Sequence, residues 1–299
     1  MKTRILLIGR LVSLFALYGC QRSEEPVTRT VPLIFIEEFP CVEVSIGGSE
    51  VTLLIDTGAS SVVIIDSRKS GTMKLPPASR KKFQAEFKKA TVPVKRYHDV
   101  PMTLGGKEYV LSSLDEIDLS VSMPDHLLPI IGGLLGTNFL KANRAVIDLD
   151  NGELLLHKPG AEPSGKEAVP LDFPDGKPWV DVSIGGREML FLVDTGSNVT
   201  DVIPRHIETM NLPPPCDEIQ SAVIDGETIE IKHFHNVPIA IGERDYPLGR
   251  LGENPWFERM YEEEMPEADG ILGSDFLKAQ GSVIDYGGRK MLLPADLHE

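Results

Sequence analysis

Two carboxylate-bearing triplets, Asp56-Thr57-Gly58 and Asp194-Thr195-Gly196, stand 138 residues apart in a chain of 299. Brought to hydrogen-bond distance, two such carboxylates cannot both ionise cheaply, so they share one proton. The pair then holds a base and an acid at one point near mildly acidic pH. The base deprotonates a water and the acid protonates a carbonyl oxygen, which is what hydrolysis of an amide by water needs. A given tripeptide arises by chance about once in several thousand positions at average composition. One Asp-Thr-Gly alone would therefore carry little, since it also makes a tight Asx-type turn after a strand. Gly58 and Gly196 lack a Cβ and let backbone pack close to a carboxylate. Other clusters are weaker. His233-Phe234-His235 puts two histidines on one strand face as a metal half-site, but no further His or Cys pattern completes it, and it reads as solvated strand polarity. Glu262 to Glu264 reads as a solvated run rather than a calcium site. No metal and no cofactor is expected.

What must position the two aspartates is an internal repeat. Val31-Pro32-Leu33 and Phe35 recur as Val169-Pro170-Leu171 and Phe173, and Val44-Ser45-Ile46-Gly47-Gly48 recurs as Val182-Ser183-Ile184-Gly185-Gly186, at the spacing of the triplets. Met73, Leu75, Pro76 and Pro77 recur as Met210, Leu212, Pro213 and Pro214, one residue closer. Phe139 to Ala142 with Phe276 to Ala279, and Val146 to Asp148 with Val283 to Asp285, keep that shorter spacing. A one-residue indel between Ser60 and Met73 explains the shift. The copies are residues 31–156 and 169–293, with a linker at 157–168 and a tail at 294–299. A period this long means a duplicated domain rather than a solenoid. Each copy reads as β. Val42 to Ile55 and Val180 to Val193 are each two strand runs broken at a Gly-Gly turn. Asp150-Asn151-Gly152 and Gly287-Gly288 supply later hairpin turns. Helices are expected to be short, with Thr137 and Ser274 as N-caps and a further turn or two from Pro204 to Met210.

With both triplets in register within a repeat, each after an apolar strand, the chain resembles the aspartic peptidases of the pepsin and retropepsin group. In that family the triplet is followed by Ala or Ser, here Ala59 and Ser197. Two apolar residues and a Gly come later, here Leu134-Leu135-Gly136 and Ile271-Leu272-Gly273. The second copy has the fuller Asp269-Gly270 before its motif, and the first has Gly132-Gly133. The resemblance covers nearly the whole chain after the N-terminal segment. It implies an all-β fold of two similar β-barrel lobes with short helices, related by a pseudo-twofold axis, with the active site at their interface. It implies Asp56 and Asp194 as the catalytic pair acting on a peptide or protein substrate. Thr57 and Thr195 would hydrogen-bond across the interface. Both carboxylates lie in one chain, so activity as a monomer is expected. Ser197 has a hydroxyl to donate to a neighbouring carboxylate and Ala59 has none, which makes Asp194 the more often ionised member. A flap hairpin is expected at Ser221 to His235, with Asp225-Gly226 at its tip, and another at about Phe83 to His98.

The remaining readings concern setting and partners. Apolar residues make up 41% and charged residues 25%, which argues against disorder. A formal net charge of -15 repels phosphate backbones and excludes nucleic acid as the default partner. Lys2, Arg4 and Arg10 flank or interrupt a short apolar stretch, Ile5 to Tyr18, as in a secretory signal at residues 1–19. Leu17-Tyr18-Gly19-Cys20 resembles a bacterial lipobox, with Tyr18 where a small residue is usual and Cys20 as the lipid anchor; ordinary signal cleavage is the alternative. Lipidation would hold the protein on a membrane of a bacterial cell envelope, facing the periplasm or the exterior. Removing residues 1–19 takes away those three bases and no acid, so the net charge goes from -15 to -18. Residues 20–30 form a polar tether too short for a folded inhibitory prosegment. Cys41 and Cys216 are the remaining cysteines, either free or paired in an oxidising compartment. Asn198-Val199-Thr200 matches a glycosylation sequon beside the triplet and is discounted. A non-catalytic peptide- or protein-binding lipoprotein of the same fold is the alternative to the enzyme, although a binding module has no need of two matched carboxylates.

Overall fold

The computed structural model describes residues 28–87, 90–157, 165–174, 176–215, 217–222, 228–255 and 268–295. The segment expected to be a signal, Cys20 with most of the tether, Cys216, the tip of the second flap and Glu262 to Glu264 lie outside the described residues. Among the described residues no helix is long and apolar enough to cross a membrane.

Alternation sets each half. Strand Phe39–Ile46 pairs antiparallel with Ser49–Asp56, and Trp179–Ile184 pairs in the same way with Arg187–Asp194. Both hairpins turn at two glycines with positive φ, Gly47-Gly48 and Gly185-Gly186, as type I′ geometry demands. Alternate residues such as Val42, Val44, Leu53 and Ile55, with Val180, Val182, Phe191 and Val193, point into the main core. Among the described residues the first half forms a 10-stranded sheet and the second a 7-stranded one. The second curls back on itself, because Trp179–Ile184 also pairs with Thr228–Ile241. The lobe relation shows in the backbone as well: Asp99 and Asn236, which are repeat counterparts, have φ of 53° and 57°.

A third sheet belongs to neither copy alone. Among the described residues its six strands run in the order Arg29–Pro32, Glu153–Leu156, Val146–Asp148, Val283–Asp285, Lys290–Pro294, Lys166–Pro170. The central pair is antiparallel, with Ile147 opposite its own counterpart Ile284. The pseudo-twofold axis therefore passes through this pair. One face of the sheet gives Ile147, Leu154, Ile284 and Met291 to the main core, and Val146, Leu155, Val283 and Leu292 form an apolar cluster on the other. Two boundaries differ from the sequence reading. Arg29–Pro32 starts inside the stretch read as tether, and Lys166–Pro170 starts inside the stretch read as linker. Both are edge strands recruited by pairing, at Val31↔Leu154 and Ala168↔Leu292, and pairing is not visible in a short run of residues.

The short helices are present at Thr137–Ala142 and Ser274–Ala279, with a 3-10 turn at Pro204–Thr209. Their caps are Gly136 and Gly273, not Thr137 and Ser274, and no side chain caps them. The register of strand Val63–Asp66 against Gly133–Gly136, compared with that of Asp201–Val202 against Gly270–Gly273, makes Ile64 the counterpart of Asp201. The indel thus falls in the loop between Ala59 and Ile64.

Candidate active site

Each aspartate is the last residue of a buried strand. Asp56 ends Ser49–Asp56 opposite Gly136, and Asp194 ends Arg187–Asp194 opposite Gly273, both in parallel pairing. Leu135, Ile271 and Leu272 are buried and Leu134 partly so, which anchors these neighbouring strands. A Cβ on Gly136 would lie 2.5 Å from the carbonyl of Ser61, so the loop after the first triplet folds over that residue only because it is glycine. The helix starts then fasten the loops. Thr137 N–H donates to the Ala59 carbonyl at 2.9 Å, and Ser274 N–H to the Ser197 carbonyl at 2.7 Å.

The two loops meet through their threonines. Thr57 Oγ1 donates to the Val193 carbonyl (2.6 Å) and accepts from Thr195 N–H (3.0 Å). Thr195 Oγ1 donates to the Ile55 carbonyl (2.5 Å) and accepts from Thr57 N–H (3.2 Å). Both threonines are fully buried, so these four bonds satisfy groups that have no access to water. The exchange draws each carboxylate over the other loop's glycine. A Cβ on Gly58 would fall 2.5 Å from Asp194 Oδ2, and one on Gly196 would fall 2.6 Å from Asp56 Cγ.

The carboxyl groups are half-buried and within hydrogen-bond reach of each other. Asp56 Oδ1 accepts from the N–H groups of Gly58 and Ala59, both at 2.9 Å, and Asp194 Oδ1 from Gly196 N–H at 2.8 Å. Burial, and then the charge of Asp194, push the Asp56 carboxyl up to about 7 against those N–H groups and Lys177. Burial also raises Asp194, whose charged form is favoured by Gly196 N–H, by Lys177 and by the hydrogen bond from Asp56. Both carboxyls are raised together, so the shared proton belongs to the pair. The sequence reading has Ser197 as a donor to a carboxylate, and the structure places that bond elsewhere. Ser197 Oγ donates to the Val199 carbonyl at 2.9 Å and not to a carboxylate.

Several other expectations meet the structure here. Hairpins rise from both lobes at the flap positions, Phe83–Phe87 with Ala90–Tyr97 and Asp217–Ala222 with Thr228–Ile241. His233 is not solvated: it is 3% exposed. Among the described residues no three His, Cys, Asp or Glu side chains converge to hold a metal. Cys41 is a buried free thiol that burial pushes up to about 12. Sequence reasoning missed Lys177 and Tyr286. The buried Tyr286 phenol is raised far above its ordinary range by burial and by the fields of Asp56 and Asp194. Nothing near either residue in sequence marks it, because each reaches the pair through tertiary closure.

Residues 42–142, from within strand Phe39–Ile46 through the first Asp-Thr-Gly to the first Phe-Leu-Lys-Ala helix, match the family model described as "gag-polyprotein putative aspartyl protease". No curated protein sequence matches the chain. Among solved structures it is similar to the aspartic proteinase from Irpex lacteus, with a TM-score of 0.53 and 16% identity, over 90% of this chain and 97% of that one. The match to the retropepsin-like family covers the first lobe and the structural likeness covers both, so the chain has the two-lobe, all-β fold of the pepsin-like aspartic proteinases.

Proposed function

We propose that the chain is an aspartic endopeptidase in which Asp56 and Asp194 share one proton and activate a water against a peptide carbonyl. The observation that carries this reading is the pair itself: two carboxyl groups from symmetric loops, each seated on the other loop's glycine and locked by reciprocal threonine bonds. In the working state Asp194 is the base and Asp56 the acid. Asp194 takes a proton from the water as its oxygen bonds to the carbonyl carbon, and Asp56 gives its proton to the carbonyl oxygen. Collapse of the resulting diol breaks the C–N bond. The proton on Asp194 passes to the leaving amine, the diol returns a proton to Asp56, and the pair is restored. Thr57, Thr195, Gly58 and Gly196 hold this geometry, with Ala59 and Ser197 tied to the helix starts. The aligned Leu134-Leu135-Gly136 and Ile271-Leu272-Gly273 strands support it from behind. Substrates are peptides or proteins, and one chain suffices because it carries both halves. Export with anchoring through Cys20 to an envelope membrane is part of the same proposal and rests on the N-terminal sequence.

The test is digestion of a peptide library across acidic to neutral pH by wild type, Asp56→Asn and Asp194→Asn. Wild type should cleave, with activity falling above pH 7 as Asp56 loses its proton. Each variant should lose roughly a hundred- to ten-thousand-fold. Cleavage that survives both substitutions would remove the mechanism. A wild type that binds peptides but cleaves none at any pH would move the chain to the binding-module reading.

A further inference from the structure

The pseudo-symmetry around the two aspartates is broken by one charge. Lys177 lies half-buried in the turn between Phe173 and strand Trp179–Ile184. Its counterpart in the first half is Phe39, which is buried among Cys41, Leu54 and Leu119. The two residues after Lys177 are tied to the strand that ends at Asp194. The carbonyl of Pro178 accepts from Val193 N–H at 2.9 Å, and Trp179 is the register partner of Leu192. This fastens the turn alongside the strand end that carries Asp194. On the other side a Cβ on Gly176 would be 4.0 Å from Thr137 Oγ1, and Thr137 holds the Ala59 carbonyl of the first loop. The turn thus stands between the two loops, near enough for the Lys177 charge to act on both carboxyls.

We propose that Lys177 is a positioning residue for charge: its ammonium stabilises the singly ionised Asp56–Asp194 pair and sets the pH window in which one proton is shared. The inference rests on reading those aspartates as a shared-proton pair. Lys177 favours the ionised form of both carboxyls, and the same pair faces Tyr286, whose phenol stays neutral. The N–H groups of Gly58, Ala59 and Gly196 favour the ionised form but are fixed by the backbone. Lys177 is therefore a side chain whose removal changes the balance. Losing a cation disfavours each of the two ionisations of the pair, so both steps move to higher pH.

The experiment titrates the aspartates directly, by carboxyl NMR on protein carrying carbon-13-labelled Asp, in wild type, Lys177→Met, Lys177→Gln and Lys177→Arg. Peptide cleavage is profiled against pH on the same samples. Met and Gln should raise both midpoints of the pair, and both limbs of the cleavage profile, by roughly half a pH unit. Arg should leave them in place. Two neutral variants guard against one that fails to fold. Midpoints unmoved in a folded neutral variant would overturn the proposal even if cleavage persists, and so would midpoints that move equally in the Arg variant. Midpoints that move while wild type cleaves nothing would instead count against the peptidase reading and leave the role of Lys177 standing.

Discussion

Replacing Asp201 by Asn should become progressively more favourable to stability as pH rises from acid to neutral. Asp201 is fully buried at the start of the short strand Asp201–Val202, where the first lobe has Ile64. Oδ2 accepts from Asn254 Nδ2 at 2.9 Å, and Oδ1 is buried against Gly252 without a hydrogen bond. Burial first, and then the charge of Asp275, raise this carboxyl from 3.8 to about 6, against the Asn254 bond and Arg250. The folded state therefore holds the proton more tightly than the unfolded one. Ionisation costs no stability below pH 3.8, costs progressively more as pH rises through that interval, and reaches its full cost above about 6. About two pH units at 1.36 kcal/mol each comes to roughly 3 kcal/mol. An amide never ionises, so the variant escapes this cost at every pH. Its altered hydrogen bonds add a constant, which cancels when the difference from wild type is followed against pH. Both tryptophans, Trp179 and Trp256, lie in the second half, so intrinsic fluorescence in urea reports this lobe. The advantage of Asp201→Asn should grow by about 3 kcal/mol between pH 3.5 and 7.5, or about 1 M in urea midpoint. A difference that stays flat, or that grows toward acid, would refute the argument from burial.

Thr57→Val should cost about 2–4 kcal/mol and abolish cleavage, since it strands the buried Val193 carbonyl and Thr195 N–H, while Thr57→Ser should restore both. Urea midpoints check this, and a Val variant as stable as wild type would remove the threonine lock from the account. Cys41 should resist a thiol reagent in the native protein, because it has no exposure and its thiol is pushed up to about 12. A chain starting at Gln21 and unfolded without reductant should then release two thiols; none would establish the Cys41–Cys216 disulfide.

The repeat, the two triplets, the paired strands before them and the apolar-apolar-Gly strands behind them were legible because each is local and each occurs twice. The six-stranded sheet was not. Val146–Asp148 and Val283–Asp285 are three residues long and apolar on both faces, so no alternation announces them, and their partners lie across the pseudo-twofold axis. Ser197 misled because the residue type fits donation to a carboxylate. A two-residue return to the Val199 carbonyl competes, and no composition argument weighs the two. Thr137 and Ser274 have the right chemistry for N-caps, but parallel pairing to the aspartate strands ends one residue earlier, at glycine. His233 was read as solvated because strand polarity usually is, and the hairpin crossing it cannot be seen from its neighbours.

The antiparallel Ile147–Ile284 seam also limits how the halves move. Strand register changes only in whole steps, and a single-residue slip would turn every side chain of the seam to the wrong face. The halves therefore cannot glide past one another by the fraction of an ångström that would tune the gap between their carboxylates. That gap is indexed, like teeth on a gear. Admission of a long substrate must come from bending of the seam or from lifting of the two hairpins, while the spacing at the centre stays fixed.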